Sequence, residues 1–255
     1  MIKKIFAFVG SRSFRKTTYG FVENIILEIA KTKEVEYEIL TMNDVDIKPC
    51  TGCSLCFVTG TCWQKDDLAL LKKKMLAADL IIIAAPVYMH GMPGEMKNII
   101  DRLASWAHKL RLAGKNVLIA STCGSNGHTT VTDDLHLKML HMGARVIGKY
   151  VGTNYIPDHL KADPEIDSNI MLLDNTKIEL TKQIVKTIEK WDSPITTNKF
   201  NESLFNSYRT EHLESISTGK INGETEYWIE SGMIDCDRYQ DYIDKLLLNK
   251  IEENA

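Results

Sequence analysis

Apolar positions along the chain switch repeatedly between two patterns. Ile2–Val9 is an apolar run, as expected of a strand covered on both faces. Tyr19–Lys31 then sets Phe21, Val22, Ile25, Ile26, Ile29 and Ala30 at helical spacing. Val35–Thr41 predicts a second strand. Leu68–Ala78 predicts a helix capped by Asp66 or Asp67, with apolar positions 68, 70, 71, 75 and 76. Leu80–Ala85 is the clearest buried strand, broken at Pro86. The next helix, about Gly94–Leu110, has Pro93 near its first turn, where a missing N–H costs little. Lys115–Thr122 and Arg145–Val151 read as strands four and five, separated by a helix over Thr129–Met142 and followed by a long helix over Ser168–Trp191.

This alternation predicts an α/β fold, a three-layer sandwich around a five-stranded parallel sheet. Right-handed crossovers bring all strand C-terminal ends to one edge. With strand order 2-1-3-4-5, the loops 10–18, 86–93 and 122–128 meet there, at the edge where open α/β sheets bind ligands. Residues 195–255 break the alternation. Lys199–Ile216 and Ile234–Ile251 read as helices flanking a turn at Gly219–Gly223 and an aromatic patch, Tyr227-Trp228-Ile229-Glu230. A division at Pro194 is therefore expected, into an α/β domain, 1–194, and a mostly helical C-terminal extension, 195–255.

Charge supports that division. Residues 195–255 hold 6 Lys and Arg against 12 Asp and Glu, whereas 1–194 hold 25 against 22. The whole chain has 44% apolar and 25% charged residues and a formal net charge of −3, without a basic block, so a nucleic-acid partner is not expected. The opening apolar run is too short for a secretory signal core. The longest uncharged apolar stretch, Leu80 to Val87, is far short of a membrane span, so a cytoplasmic location without a membrane partner is expected.

The first loop, Gly10-Ser11-Arg12-Ser13-Phe14-Arg15-Lys16-Thr17-Thr18, leads from a strand into the N-terminus of a helix. Free backbone N–H groups and the helix dipole favour an anion there, and Ser11, Ser13, Thr17 and Thr18 add hydroxyls suited to a phosphate. Neither G-x-G-x-x-G nor GxxxxGK[ST] is present, which points to a mononucleotide without hydrolysis. A plain strand–helix turn with Thr17 as cap is the alternative.

Four of six cysteines, Cys50, Cys53, Cys56 and Cys62, fall within thirteen positions at spacing C-x2-C-x2-C-x5-C. Such density calls for a metal cluster, zinc, a redox thiol set or a disulfide knot, and a reducing compartment argues against the knot. Cys123 and Cys236 read as bystanders, with Cys123 closer to the ligand edge. His136 and His141, five apart, do not share a helix face for a metal.

Together the first loop, the run Ala84-Ala85-Pro86-Val87-Tyr88-Met89 with Lys97 and Asp101-Arg102 after it, and the cysteine tract ending in Asp66-Asp67 resemble the flavodoxin-like NAD(P)H-dependent FMN reductase superfamily. Within it, the cysteine spacing resembles the iron-sulfur flavoproteins. The resemblance covers about residues 1–155. It implies FMN, with its phosphate held by Ser11, Arg12 or Arg15, Ser13, Thr17 and Thr18. Pro86, Val87, Tyr88 and Met89 would line the isoalloxazine ring with their backbone amides, and Thr122, Cys123, Gly124 and Gly127 would close the other side. Tyr88 and Trp106 are the aromatic rings available to stack, and His90 stands where it could face flavin or substrate. The flavin itself is the reactive group. For the cysteines, the resemblance implies a [4Fe–4S] cluster relaying electrons to FMN, while free or disulfide-forming thiols and zinc stay open.

The function so implied is an FMN-dependent oxidoreductase. It would pass electrons from NAD(P)H, or from a reduced carrier such as ferredoxin, to a small-molecule acceptor, as a homodimer or homotetramer. The rival expectation is a flavodoxin-like electron carrier or assembly partner without its own substrate, docking through the acidic aromatic tail.

Overall fold

The computed structural model describes residues 2–13, 16–154, 170–173 and 176–252. Arg15 and the expected helix start at Ser168 lie outside the described residues. The central sheet is built from β1 (Lys3–Val9), β2 (Val35–Thr41), β3 (Leu80–Pro86), β4 (Asn116–Cys123), β5 (Arg145–Thr153) and β6 (Ile170–Leu172). All neighbouring pairs are parallel, in the order β2-β1-β3-β4-β5-β6. The expected 2-1-3-4-5 order is present, and β6 extends it at the β5 edge.

Six strands among the described residues, rather than five, correct the sequence reading. Ile170-Met171-Leu172-Leu173 was expected inside the long helix, but a short apolar run does not distinguish a strand from a helix turn by period. The helix there, α7 (Thr176–Asp192), starts only after β6. The other helices are α1 (Thr17–Ala30), α2 (Leu55–Val58), α3 (Leu68–Ala77), α4 (Gly94–Arg102), α5 (Ser105–His108), α6 (His128–His141), α8 (Lys199–Ser217), α9 (Gly223–Glu230) and α10 (Tyr239–Glu252).

Each face of the sheet carries its own core. Ile5, Ala7 and Val9 of β1 pack with Phe21, Val22, Ile25, Ile26 and Ile29 of α1 and with Leu180 and Ile184 of α7. Phe6 and Phe8 point the other way, into a core with Leu71 and Met75 of α3, Ile99 of α4, Trp106 of α5 and Leu135 of α6. This alternation of adjacent residues is the period-two geometry of a strand buried on both faces. The helix expected over Gly94–Leu110 breaks between α4 and α5. Leu103 N–H reaches both Ile99 O and Ile100 O, and the next bonds are three-residue ones, Ala104 to Asp101 and Trp106 to Leu103. The apolar spacing runs on through this tightened turn, which is why the sequence reads as one helix.

Residues 195–252 form a third apolar cluster. Phe205 of α8, Trp228 of α9, and Tyr239, Tyr242 and Ile243 of α10 close over Leu110. The aromatic patch expected between two helices is itself on a helix, α9. Hydrogen bonds tie this cluster to the α/β body. Trp228 Nε1 donates to His108 O at 2.8 Å, Tyr239 OH to Gly143 O at 2.6 Å, and Asn201 Nδ2 to Leu140 O at 2.8 Å. No helix among the described residues is long and apolar enough to cross a membrane.

Candidate functional site

At the C-terminal edge of the sheet a cavity of about 270 Å³ opens where three loops meet. The first loop contributes Ser11, Ser13, Lys16, Thr17 and Thr18. The β3 loop contributes Pro86, Val87 and Tyr88, and the β4 end Thr122, Cys123 and Gly124, with Asn154 after β5. The first loop folds on itself: Ser11 N–H donates to Val9 O at 2.7 Å, and Ser13 N–H to Ser11 Oγ at 3.1 Å. α1 follows with Lys16, not Thr17, as its N-cap, and no side chain accepts its first amides. Among the described residues no acceptor is shown for the Thr17 and Thr18 amides, and the positive end of the helix dipole favours an anion there. Thr18 Oγ1 and Thr122 Oγ1 lie 2.6 Å apart, both buried, joining the first loop to the end of β4.

The β3 loop is a tight turn. Tyr88 N–H donates to Gly91 O at 2.8 Å and Gly91 N–H to Tyr88 O at 3.0 Å. Between them Met89 and His90 have φ of 48° and 58°, the left-handed pair that a two-residue reversal of this hand demands. Neither is glycine, so each costs about 1 kcal/mol or more, a strain found preferentially at functional sites. Gly127, at φ 78°, lies against this turn. A Cβ there would come within 2.7 Å of Val87 Cγ1 and 3.2 Å of His90 Nδ1.

Several expected site residues take other places. Met89 is 97% exposed and does not line the cavity. Arg12 turns to Glu95, Nε to Oε1 at 2.6 Å. Pro86 has no N–H, Val87 N–H is spent on Thr122 O at 2.9 Å, and Tyr88 N–H on Gly91 O. Within the 87–91 turn, the amides for which no backbone acceptor is shown are those of Met89 and His90. Cys123 is buried, its Sγ 3.8 Å from His128 Nδ1, and burial pushes its thiol up, away from the reactive thiolate. Trp106 is a core residue. Lys16 and Asn154 line the cavity without having been singled out, since a lone Lys or Asn in a loop carries no spacing signal.

The cysteine tract lies between β2 and α3, and α4 holds it at both ends. Arg102 Nη1 donates to Lys48 O at 2.5 Å and to Asp66 Oδ2 at 2.7 Å, while Asn98 Oδ1 accepts Cys50 N–H at 2.9 Å. The Arg102 and Asp66 side chains are 1% and 2% exposed. Burial opposes ionisation of Asp66, but the Arg102 hydrogen bonds and the Lys48 and Leu68 amides outweigh it and hold the carboxyl below its usual range. Arg102 Nη2 also lies 3.5 Å from Cys62 Sγ.

All four thiols of the tract are free, Cys50 and Cys53 exposed, Cys56 and Cys62 half-buried. Burial pushes the Cys56 thiol up, helped by the neighbouring Cys62 and Cys50, so these three sulfurs sense one another. Cys53 instead engages the Leu55 amide and the Thr51 hydroxyl, which lower its thiol. The donor type suits a thiolate-held cluster beside a cation. As folded, however, no three Cys, His, Asp or Glu side chains among the described residues are gathered as metal ligands. A cluster therefore requires the four thiols of the tract to draw together from these positions.

The C-terminal helices touch this tract directly. Gly223 packs on its backbone so closely that a Cβ would lie 2.3 Å from Gly60 N and 2.5 Å from Thr59 C. The His108 ring stands between Phe57 of the tract and Tyr208 of α8, 5.1 Å from each, and its Nδ1 lies 3.0 Å from Glu224 Oε2. Lys109 Nζ donates to Gly60 O at 2.7 Å. The acidic residues of the extension gave no hint of this contact in the sequence, because pairing across 116 positions leaves no local pattern.

A six-stranded parallel sheet with a hydroxyl-lined, helix-opened cavity at its carboxyl edge defines the flavodoxin-like class of mononucleotide proteins. The family profile described as NADPH-dependent FMN reductase matches residues 3–158. The chain belongs to that family and is an FMN-dependent oxidoreductase. Two proteins of Archaeoglobus fulgidus named iron-sulfur flavoprotein are similar to it. One is 40% identical over 99 residues, 39% of this chain and 48% of its own length, so the chain spans about half of that relative. The other is 28% identical over 200 residues, 78% of this chain and 86% of its own length. Among solved structures, the apo form of the NADH:FMN oxidoreductase EMOB superposes with a TM-score of 0.51. It is 20% identical and covers 77% of this chain and 92% of its own, a likeness of fold.

Proposed function

We propose that this chain seats FMN in the cavity at the edge of β1, β3 and β4. There it passes electrons from NAD(P)H, or from a reduced carrier such as ferredoxin, to a small-molecule acceptor. The observation that carries this reading is the uncapped N-terminus of α1 opening into a cavity lined by Ser11, Ser13, Thr17, Thr18 and Lys16. A dianionic phosphate is the ligand such a place suits. Thr18 and Thr122 keep the two loops in register, and the amides of Met89 and His90, with no backbone acceptor shown, follow the cavity-lining Tyr88. Bound FMN would supply hydride and single-electron chemistry; the residues named here bind it and orient it.

Cys50, Cys53, Cys56 and Cys62 hold a [4Fe–4S] cluster in this reading, supported by the names of the similar flavoproteins and by the Arg102 guanidinium beside Cys62. Such a cluster would supply single-electron transfer. The 88–90 turn, with Tyr88 and Met89 both exposed beside the cavity, supports a homodimer or homotetramer in which a second copy covers it. Residues 195–255 act as a unit appended to the 1–194 domain, bracing the cysteine tract through Gly223 and Glu224. The proposed location is the cytoplasm.

Anaerobic purification tests both halves. The protein should carry about one FMN, and about four iron and four acid-labile sulfide per chain. It should also turn over NAD(P)H or a reduced carrier with a quinone acceptor. Iron missing under strict anaerobiosis rules out the cluster, and a chain that neither retains nor binds FMN rules out the whole reading.

A further inference from the structure

Where the C-terminal helices meet the cysteine tract, a second cavity of about 400 Å³ opens, within the size range of small-molecule sites. Three cations line it, Lys72, Lys109 and Arg111, together with the rings of Trp106 and Tyr227 and with Cys62. No Asp or Glu is among the described residues that line it. Lys72 and Lys109 repel one another electrostatically, so positive charge is concentrated in a recess with no carboxylate on its wall. The aromatic faces are set against these cations. Lys72 Nζ is 5.7 Å from the Trp106 ring, and the Arg111 guanidinium is 4.9 Å from the Tyr227 ring. Arg111 Nη1 donates to Tyr227 OH at 2.9 Å, leaving the rest of its donor fork, and the charges that act on Lys72 in its favour are those of Cys62 and Cys56 rather than a carboxylate.

We infer that this cavity is a binding site for a small organic carboxylate with a planar apolar body. The carboxylate meets Lys72 and Arg111, and the body lies against Tyr227 and Leu76. A guanidinium fork matches a carboxylate geometrically, and the Tyr227 ring rewards an apolar ring that inorganic phosphate lacks. Tyr227 belongs to α9, so the extension completes the site. The inference goes beyond the flavin reading and does not depend on it.

Calorimetric titration of the purified full-length protein with benzoate, benzamide and inorganic phosphate tests it. Benzoate should bind saturably, with benzamide and phosphate each weaker by about tenfold or more, because each keeps only one of the two recognised features. Lys72→Met and Arg111→Met should each weaken benzoate by about tenfold or more. Lys65→Met, which removes an exposed charge outside the cavity, should leave it unchanged. Lys72→Met breaks no hydrogen bond shown among the described residues, so thermal melting of that variant should match the parent and separate lost binding from lost folding. The proposal is overturned if benzoate does not bind, if benzamide or phosphate binds as well, if either variant retains full affinity, or if Lys65→Met weakens binding equally.

Discussion

Arg102 and Asp66 bury opposite charges against each other while holding the two ends of the cysteine tract. Asp66→Ala leaves the guanidinium inside without its partner, which costs about 3–5 kcal/mol, and urea denaturation should show that loss. The Asp66 pKa is depressed in the fold. Its contribution is therefore present above the unfolded carboxylate value of about 3.9 and disappears as pH falls through the folded value. His108 behaves oppositely. The Glu224 hydrogen bond raises its pKa against the effect of burial, with Glu211 adding to the rise. The stabilisation is full below the unfolded value of about 6.5 and fades as pH rises through the raised one. Glu224→Gln should lower the His108 pKa in an NMR titration and remove the acid-side gain in melting temperature; an unchanged titration would contradict the assigned pair. At this scale the hydroxyls Ser11, Thr18 and Thr122 were legible, because residue type and position at a strand end suffice. The Arg12–Glu95 pair and the Asp66–Arg102 pair were not, because they join residues whose proximity exists only after folding.

Two close approaches decide how neighbouring elements sit. At Gly127, alanine meets both an unfavourable φ and Val87 Cγ1, and the easiest relief is displacement of the 87–91 turn. Gly127→Ala should therefore weaken FMN binding by about tenfold or more, at a stability cost of about 1–3 kcal/mol. At Gly223 the obstacle is backbone, Gly60 N and Thr59 C, which cannot rotate away. Gly223→Ala should part α9 from the tract, seen as faster limited proteolysis at both segments and a lower melting temperature. An unchanged digestion pattern would show that the contact is not maintained in solution. The strands and the helices of the α/β body could be read from apolar period, since each is long enough to repeat it. β6, with three residues, is too short to declare a period, and the break between α4 and α5 hides because the spacing of buried residues continues across it.

As a whole, the molecule brings three loops from distant parts of the chain to one edge of the sheet, and the strand order alone dictates that meeting. That much followed from the sequence pattern. The docking of 195–252 on the cysteine tract did not, because it depends on aromatic and glycine contacts across more than a hundred residues. Trp228, fully buried in that extension, should cost about 3–5 kcal/mol when replaced by alanine, measurable by chemical denaturation. The central claim is that the first loop and the α1 N-terminus hold the phosphate of a flavin mononucleotide. It is tested most directly by comparing FMN and riboflavin affinities of the apoprotein and of Thr17→Glu, which places a carboxylate at the first residue of α1. The parent should prefer FMN over riboflavin by about tenfold or more, and the substitution should abolish this preference while riboflavin binding stays the same. Equal affinity of the parent for both flavins, or an undiminished preference in Thr17→Glu, would contradict it.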